Sequence, residues 1–300
     1  MPLQSVLDSV PQLRNAQHVE PLPGGLTNQN YKVVTPGGSY VIRISHKDSS
    51  LLAIDRENEL HNTIAAAEVG VGAPFVAALP DEDALVIGFL EGRALSPDDL
   101  RSRAELIPQV ADACRLLHSA RPFLHDFDMF ETQRRYLGVV RERDFRLPYR
   151  YLEFEPQVHA IEQAMRALAE PRVPCNNDLL AENFIDVGGE LKLIDYEYSG
   201  NNDACFELGN IWSESNLSLT QLDELVGAYY GAPLRNKVAR ARLWGLVAKY
   251  GWMLWASIQD GISELDFDFW AWGMEKYERA VAEFDGTDFE RLLVEVQRED

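Results

Sequence analysis

The hydrophobic period of the chain changes near residue 90, and that change limits the architectures open to it. Before it, short runs of strand-forming residues are separated by glycine and proline turns. Residues 19–22 read as a strand. Residues 30–34 and 40–44 read as two more, joined by Thr35-Pro36-Gly37-Gly38-Ser39. Residues 75–78 and 84–89 flank the acidic turn Pro80-Asp81-Glu82-Asp83. A short amphipathic helix is predicted over 4–15. A second, over 51–67, carries Leu52, Ile54, Leu60, Ile64 and Ala65 and is broken by Gly70 to Pro74. After Ser96 the pattern is helical. Ser96-Pro97-Asp98-Asp99 combines a capping hydroxyl, a first-turn proline and acids at the positive end of the helix dipole. Helices are predicted over 98–118, 127–142, 154–169, 204–216, 219–230, 233–259 and 266–284. They are interrupted between 173 and 194, where short strands at 183–186 and 191–194 surround Gly188-Gly189.

At 300 residues the chain is long for one core. We therefore expect an α+β protein of two packed lobes, a small β-rich lobe over 1–91 and a larger helical lobe over 92–300, with a cleft between them. The 48 acidic and 28 basic residues give a net charge of −20. Such a surface repels nucleic acid and anionic membranes and attracts cations. The three cysteines, Cys114, Cys175 and Cys205, form no CxxC pair, which argues against a disulfide framework or a zinc site and fits a reducing compartment. The N-terminal residues lack the pattern of a signal peptide. The apolar run over 243–255 is interrupted by Lys249 and is too short to span a bilayer. The expectation is a cytoplasmic protein without membrane insertion, monomeric or homodimeric.

The polar interruption carries the densest chemistry. It contains Asp178, then Asn183 five residues on, then Asp195 at the end of a predicted strand. Phosphoryl transfer needs one carboxylate to orient and deprotonate the attacking hydroxyl, and a few oxygen ligands for Mg²⁺. An asparagine ligand keeps the metal site from becoming over-charged against a triphosphate. Aspartate and asparagine at this spacing also occur in ordinary loop turns. The apolar Leu179, Leu180, Phe184 and Ile185 around them argue for a buried loop with a function. In the first lobe, Gly24 and Gly25 would let backbone amides approach phosphates, with Thr27 and Asn28 adding donors. Arg43 lies inside an otherwise apolar strand. It is either an outward edge residue or a buried cation that needs a carboxylate from the next helix, Glu57 or Glu59.

These residues resemble the aminoglycoside phosphotransferase and choline kinase superfamily, which has a protein-kinase-like fold. The resemblance runs through most of the chain: Gly24-Gly25-Leu26-Thr27-Asn28, Tyr40-Val41-Ile42-Arg43-Ile44, Arg56-Glu57-Asn58-Glu59, the segment 86–92, Leu116-Leu117-His118, the segment 177–183 and Ile194-Asp195-Tyr196-Glu197-Tyr198. It implies ATP and Mg²⁺ as cofactors and adenine held by the backbone of Gly88 to Leu90. Asp178 would be the base, Arg43 a phosphate-positioning cation paired with a glutamate, and Asn183 and Asp195 the metal ligands. Glu197 would support a second metal or face the substrate.

The choline and ethanolamine kinase branch is the most similar. It is marked by Asn202, Phe206-Glu207-Leu208-Gly209-Asn210 and the aromatic set Trp252, Trp255, Phe267, Phe269 and Trp272. On spacing alone these aromatics read as core. The resemblance makes Trp252, Trp255, Phe267 and Trp272 the wall of a pocket for a small amino alcohol, choline or ethanolamine, with Glu214 attracting the amine. Aromatic faces bind an ammonium by roughly 0.5–2 kcal/mol each when water is excluded. The other acceptors considered are aminoglycosides, thiamine-like compounds and sugar alcohols. An amine- or nucleotide-binding protein without turnover is a further alternative. Two departures stand out. Asn176 occupies the place where the superfamily usually carries a loop-bracing histidine, so a shifted loop is expected. Residues 215–218 lack the tyrosine common in choline kinases. His118 and Cys175 read as packing residues, and His61 and His125 as isolated.

Overall fold

The computed structural model describes residues 2–299, apart from 24, 26 and 46–48. The first lobe opens with α1 (Pro2–Ser9) and a five-stranded antiparallel sheet: β1 (His18–Leu22), β2 (Asn28–Thr35), β3 (Gly38–Ser45), β4 (Phe75–Leu79) and β5 (Ala84–Gly88), in the order β1-β2-β3-β5-β4. Helix α2 (Arg56–Glu68) is inserted between β3 and β4. It starts later than its apolar pattern predicts because Asp55 caps it, accepting from the amides of Glu57 and Asn58. The lobe has its own small core of Val6, Val10, Leu13, Val33, Ile42, Ala84 and Val86.

The second lobe contains β6 (Arg93–Ala94), α3 (Pro97–Ser102), α4 (Leu106–His118), α5 (Met129–Glu142), α6 (Glu155–Ala167), β7 (Arg172–Cys175), β8 (Phe184–Val187), β9 (Glu190–Leu193), β10 (Gly200–Asp203), α7 (Ala204–Ser215), α8 (Leu219–Tyr230), α9 (Arg235–Ile262), α10 (Phe269–Phe284) and α11 (Phe289–Glu295). The single helix predicted over 98–118 is two. Pro108 has no amide to bond the carbonyl four residues back, so the chain breaks at Arg103 and restarts with the proline in the first turn of α4. The pairing of β7 with β10 was not expected: Gly-Asn-Asn-Asp carries no strand pattern, and only its backbone pairing with residues 172–175 makes it one. Helix α11 and the two-residue β6 were also not anticipated.

Helix α9 is the axis of this lobe. It is buried at nearly every position from Ala239 to Gln259 and packs on α5, α7 and α10. It meets α7 at a glycine pair. A Cβ on Gly209 would lie 2.0 Å from the Ala241 carbonyl oxygen, and one on Gly245 would lie 2.7 Å from that of Gly209. That crossing lets α7 and α9 lay their side chains along one wall. No helix among the described residues is long and apolar enough to cross a membrane.

Candidate active site

Strand β3 carries Arg43 across the lobe interface. The residue is 9% exposed. Its Nη1 lies 3.1 Å from Glu59 Oε1 on α2, and its Nη2 lies 2.8 Å from both Asp195 Oδ1 and Glu197 Oε2. Three carboxylates raise its pKa further, against burial, so it is permanently charged. Of the two glutamates considered from sequence, Glu59 is the partner; Glu57 sits exposed in the first turn of α2. Arg56, which the sequence reading did not assign, adds a second cation. Its Nη1 is 2.6 Å from Glu59 Oε2 and 3.6 Å from Glu197 Oε2.

The glycine turn reaches the same point. Thr27 Oγ1 donates to Glu197 Oε1 at 2.7 Å, and Asn28 Nδ2 to Glu197 Oε2 at 2.9 Å. Residues expected to meet phosphates thus hold a carboxylate of the other lobe. Gly25 is required here, because a Cβ would stand 2.2 Å from the Asn28 carbonyl oxygen. Gly24 lies outside the described residues. At the hinge, the Gly88 amide is already bonded to the Pro74 carbonyl at 2.7 Å, so Gly88 has no N–H left for a base. The Leu90 carbonyl accepts from Gly92 at 2.9 Å.

The loop after β7 is held by its own side chains. Glu207, buried on α7, accepts the amides of Asn176 and Asn177 at 2.7 and 2.8 Å. Asn177 takes a left-handed conformation, φ 67°, and its side-chain Nδ2 donates to the Tyr198 carbonyl at 3.1 Å. Asn176 Oδ1 accepts the Asp178 amide at 3.1 Å, while its Nδ2 donates to the carbonyls of Ile194 and Asp195 at 3.2 and 2.7 Å. One asparagine therefore ties the Asp178 loop to the end of β9, a brace built from both ends of its amide.

Asp178 is half-buried in this cleft. Burial, then the charges of Asp195, Glu214 and Glu197, raise its pKa well above the usual carboxylate range. Asn183 Nδ2 donates to the Asp178 carbonyl at 2.8 Å, which leaves the Asn183 amide oxygen free to coordinate. Asp195 sits at φ 66°, just beyond β9. Two aspartates with the free amide oxygen of Asn183 are a donor set suited to a hard divalent cation such as Mg²⁺. Asn183 and Asp195 are the residues that would hold it.

The aromatic set centres on Trp252 and Trp255, which are buried in the core of the helical lobe, 4% and 6% exposed. Tyr198 packs edge-on against Trp252 at 5.3 Å and accepts from Trp255 Nε1 at 2.7 Å. Trp255 meets Trp272 at 5.4 Å and Phe269 at 5.8 Å. Phe267 is peripheral, 41% exposed, and touches Phe269. Tyr198, placed between the catalytic loop and both tryptophans, was missed as a wall residue; it lay within the quoted motif, but nothing in the pattern pointed its ring toward α9. Glu214 is not a free carboxylate. Lys276 of α10 bonds its Oε2, and the same ammonium stands 4.1 Å over the Trp272 ring. Glu214 Oε1 is buried without a partner.

Among the described residues, His118, Cys175 and Glu207 also come together, within 4.8 Å of one another. Glu207 is occupied by two backbone amides, His118 Nδ1 by the Tyr229 hydroxyl at 2.7 Å, and burial pushes the Cys175 thiol up. The cluster braces the loop from behind.

The model of the phosphotransferase enzyme family, known as APH, matches residues 18–244. Protein LicA of Haemophilus influenzae is 26% identical over 247 residues, covering 79% of this chain and 72% of that protein. Ethanolamine kinase 2 of Rattus norvegicus is 26% identical over 248 residues, covering 73% of this chain and 63% of that enzyme. Among solved structures, a choline/ethanolamine kinase family protein from Mesorhizobium loti superposes with a TM-score of 0.87 at 28% identity, covering 99% of both chains.

Proposed function

Because the chain belongs to the phosphotransferase enzyme family, we propose that it moves the γ-phosphoryl group of ATP, with Mg²⁺, to the hydroxyl of a small amino alcohol, choline or ethanolamine. The observation that carries this reading is the position of Asp178. Its carboxyl, held at high pKa, feels the charge of Asp195 on one side and acts on the Tyr198 phenol, which bonds Trp255 and packs on Trp252, on the other. A high-pKa carboxylate is suited to accept the acceptor's hydroxyl proton as the oxygen attacks in line. Arg43, oriented by Glu59, faces the developing phosphate charge. Bound Mg²⁺ would neutralise the phosphates. The aromatic wall excludes water and receives the ammonium.

A second reading keeps the chemistry and changes the acceptor. The bond from Lys276 to Glu214 supports it, since the carboxylate assigned to the amine is already neutralised. ADP release measured over a panel of choline, ethanolamine, an aminoglycoside and a polyol decides between them. Turnover of choline or ethanolamine that Asp178→Ala abolishes, with nucleotide binding retained, supports the proposal. Turnover of another alcohol alone replaces the amine assignment. Nucleotide binding without turnover of any acceptor rejects the catalytic reading.

A further inference from the structure

In this acidic chain the lining of one cavity carries more basic than acidic side chains. Between α7, α9, α10 and the turn before α11 lies a cavity of about 520 Å³, lined by Trp212, Arg242, Lys249, Arg279, Glu283 and Asp288. Its two acids already have partners. Glu283 is bonded by Arg242, and Asp288 lies 3.3 Å from Arg242 and 3.2 Å from Arg291. Lys249 has none. It is only 6% exposed, yet no carboxylate lies within ion-pair reach of it among the described residues. Its ammonium stands 4.3 Å over the Trp212 ring. The Trp212 indole N–H is itself buried without an acceptor. Arg279, on the solvent side, reaches Asn216 and Glu275.

A nearly buried cation without an acceptor, facing a cavity, carries a desolvation cost that a ligand there can offset. Burial first, then the nearby Lys276 and Arg279, lower the Lys249 pKa to about 8 against the pull of Glu214. A cationic ligand would be repelled, and a neutral one would leave the charge uncompensated. The geometry points to a binding site for a small oxyanion, phosphate or a phosphomonoester, held by Lys249 and Arg279. Such donors suit an oxyanion with several acceptor oxygens. The cavity is not the phosphoryl-transfer centre. It borders that centre's acceptor wall through a smaller cavity of about 160 Å³, which shares Lys249 and Arg279 and reaches Leu180 and Glu214.

Titration calorimetry with inorganic phosphate and, separately, with phosphoethanolamine, at ionic strength held constant with chloride, tests this. Lys249→Met is expected to weaken binding at least 10-fold and Arg279→Met at least 3-fold, whereas Asp178→Asn, at the transfer centre, leaves it within 2-fold. Tighter binding of phosphate identifies the free ion as the ligand, and tighter binding of phosphoethanolamine identifies a phosphorylated metabolite; either supports the site. In parallel, acetic anhydride labelling mapped by mass spectrometry reads Lys249 directly in the unaltered protein, so the test survives misfolding of Lys249→Met. Phosphate should slow labelling of Lys249 at least 5-fold and leave the exposed lysines unchanged. Heats no larger than with chloride, binding undiminished in both Lys249→Met and Arg279→Met, or labelling of Lys249 indifferent to phosphate would overturn the inference.

Discussion

Asp178 shows how one side chain can be costly to the fold and useful to the chemistry. Its carboxyl has a raised pKa because burial and the charges of Asp195, Glu214 and Glu197 all disfavour the anion. The folded chain therefore holds this proton more tightly than the unfolded chain does, and stability falls as pH rises from the unfolded value of 3.8 through the folded one. At neutral pH the metal-free fold is the less stable for this group. Asp178→Asn should accordingly melt at a higher temperature than the parent at pH 7 in EDTA, the gain shrinking as pH falls toward 3.8. Differential scanning calorimetry across that range checks it. A variant less stable than the parent throughout would mean that the carboxylate is compensated in the fold. Asn176 belongs to the same scale. In place of the family's bracing histidine, the asparagine makes a brace from three hydrogen bonds, joining Asp178 to the carbonyls at the end of β9.

At the scale of elements, the crossing of α7 and α9 places the aromatic set proposed to meet the acceptor. Helix α7 carries Glu214 and Glu207, and helix α9 carries Trp252 and Trp255. Their approach is set where Gly245 meets Gly209 and the Trp212 ring, whose nearest atom is 2.7 Å from a Cβ built on Gly245. The conflict is partly with backbone, so no side-chain rotation relieves it. Gly245→Ala should destabilise the protein by about 1–3 kcal/mol, the usual cost of overpacking, measured by urea unfolding. It should also raise KM for the acceptor more than KM for the nucleotide, because the displaced helices bear that aromatic set and not the hinge. An unchanged midpoint and unchanged acceptor KM would show that the helices slide apart without cost. The glycines are visible in the sequence, but nothing in their spacing says that they face each other across two helices separated by α8.

At the scale of the whole molecule, Glu197 is the hinge pin between lobes. Thr27, Asn28 and Arg43 of the first lobe all bond this one carboxylate of the second. It is 6% exposed, and removing it leaves the buried Thr27 hydroxyl without an acceptor, a cost of about 1–3 kcal/mol, while Arg43 keeps Glu59 and Asp195 and Asn28 keeps Thr27. Glu197→Ala should therefore speed amide hydrogen exchange across β2 and β3 in the nucleotide-free protein, while α9 stays protected. Exchange unchanged in those strands would show that the lobes are held elsewhere, through α2.

Much of this protein was legible in its chain. The change of period near residue 90, the turns of the first sheet and the long helices depend on local pattern, which neighbours in sequence carry. The Arg43–Glu59 pair was legible as a need, because a cation in an apolar strand requires a carboxylate. What only tertiary structure decided is which groups share a site. Lys276 takes Glu214, Thr27 and Asn28 take Glu197, and Gly-Asn-Asn-Asp becomes a strand against β7. Hydrogen bonds and charges act over a few ångströms, and these partners stand from about 25 to 170 residues apart along the chain, so only packing could select them.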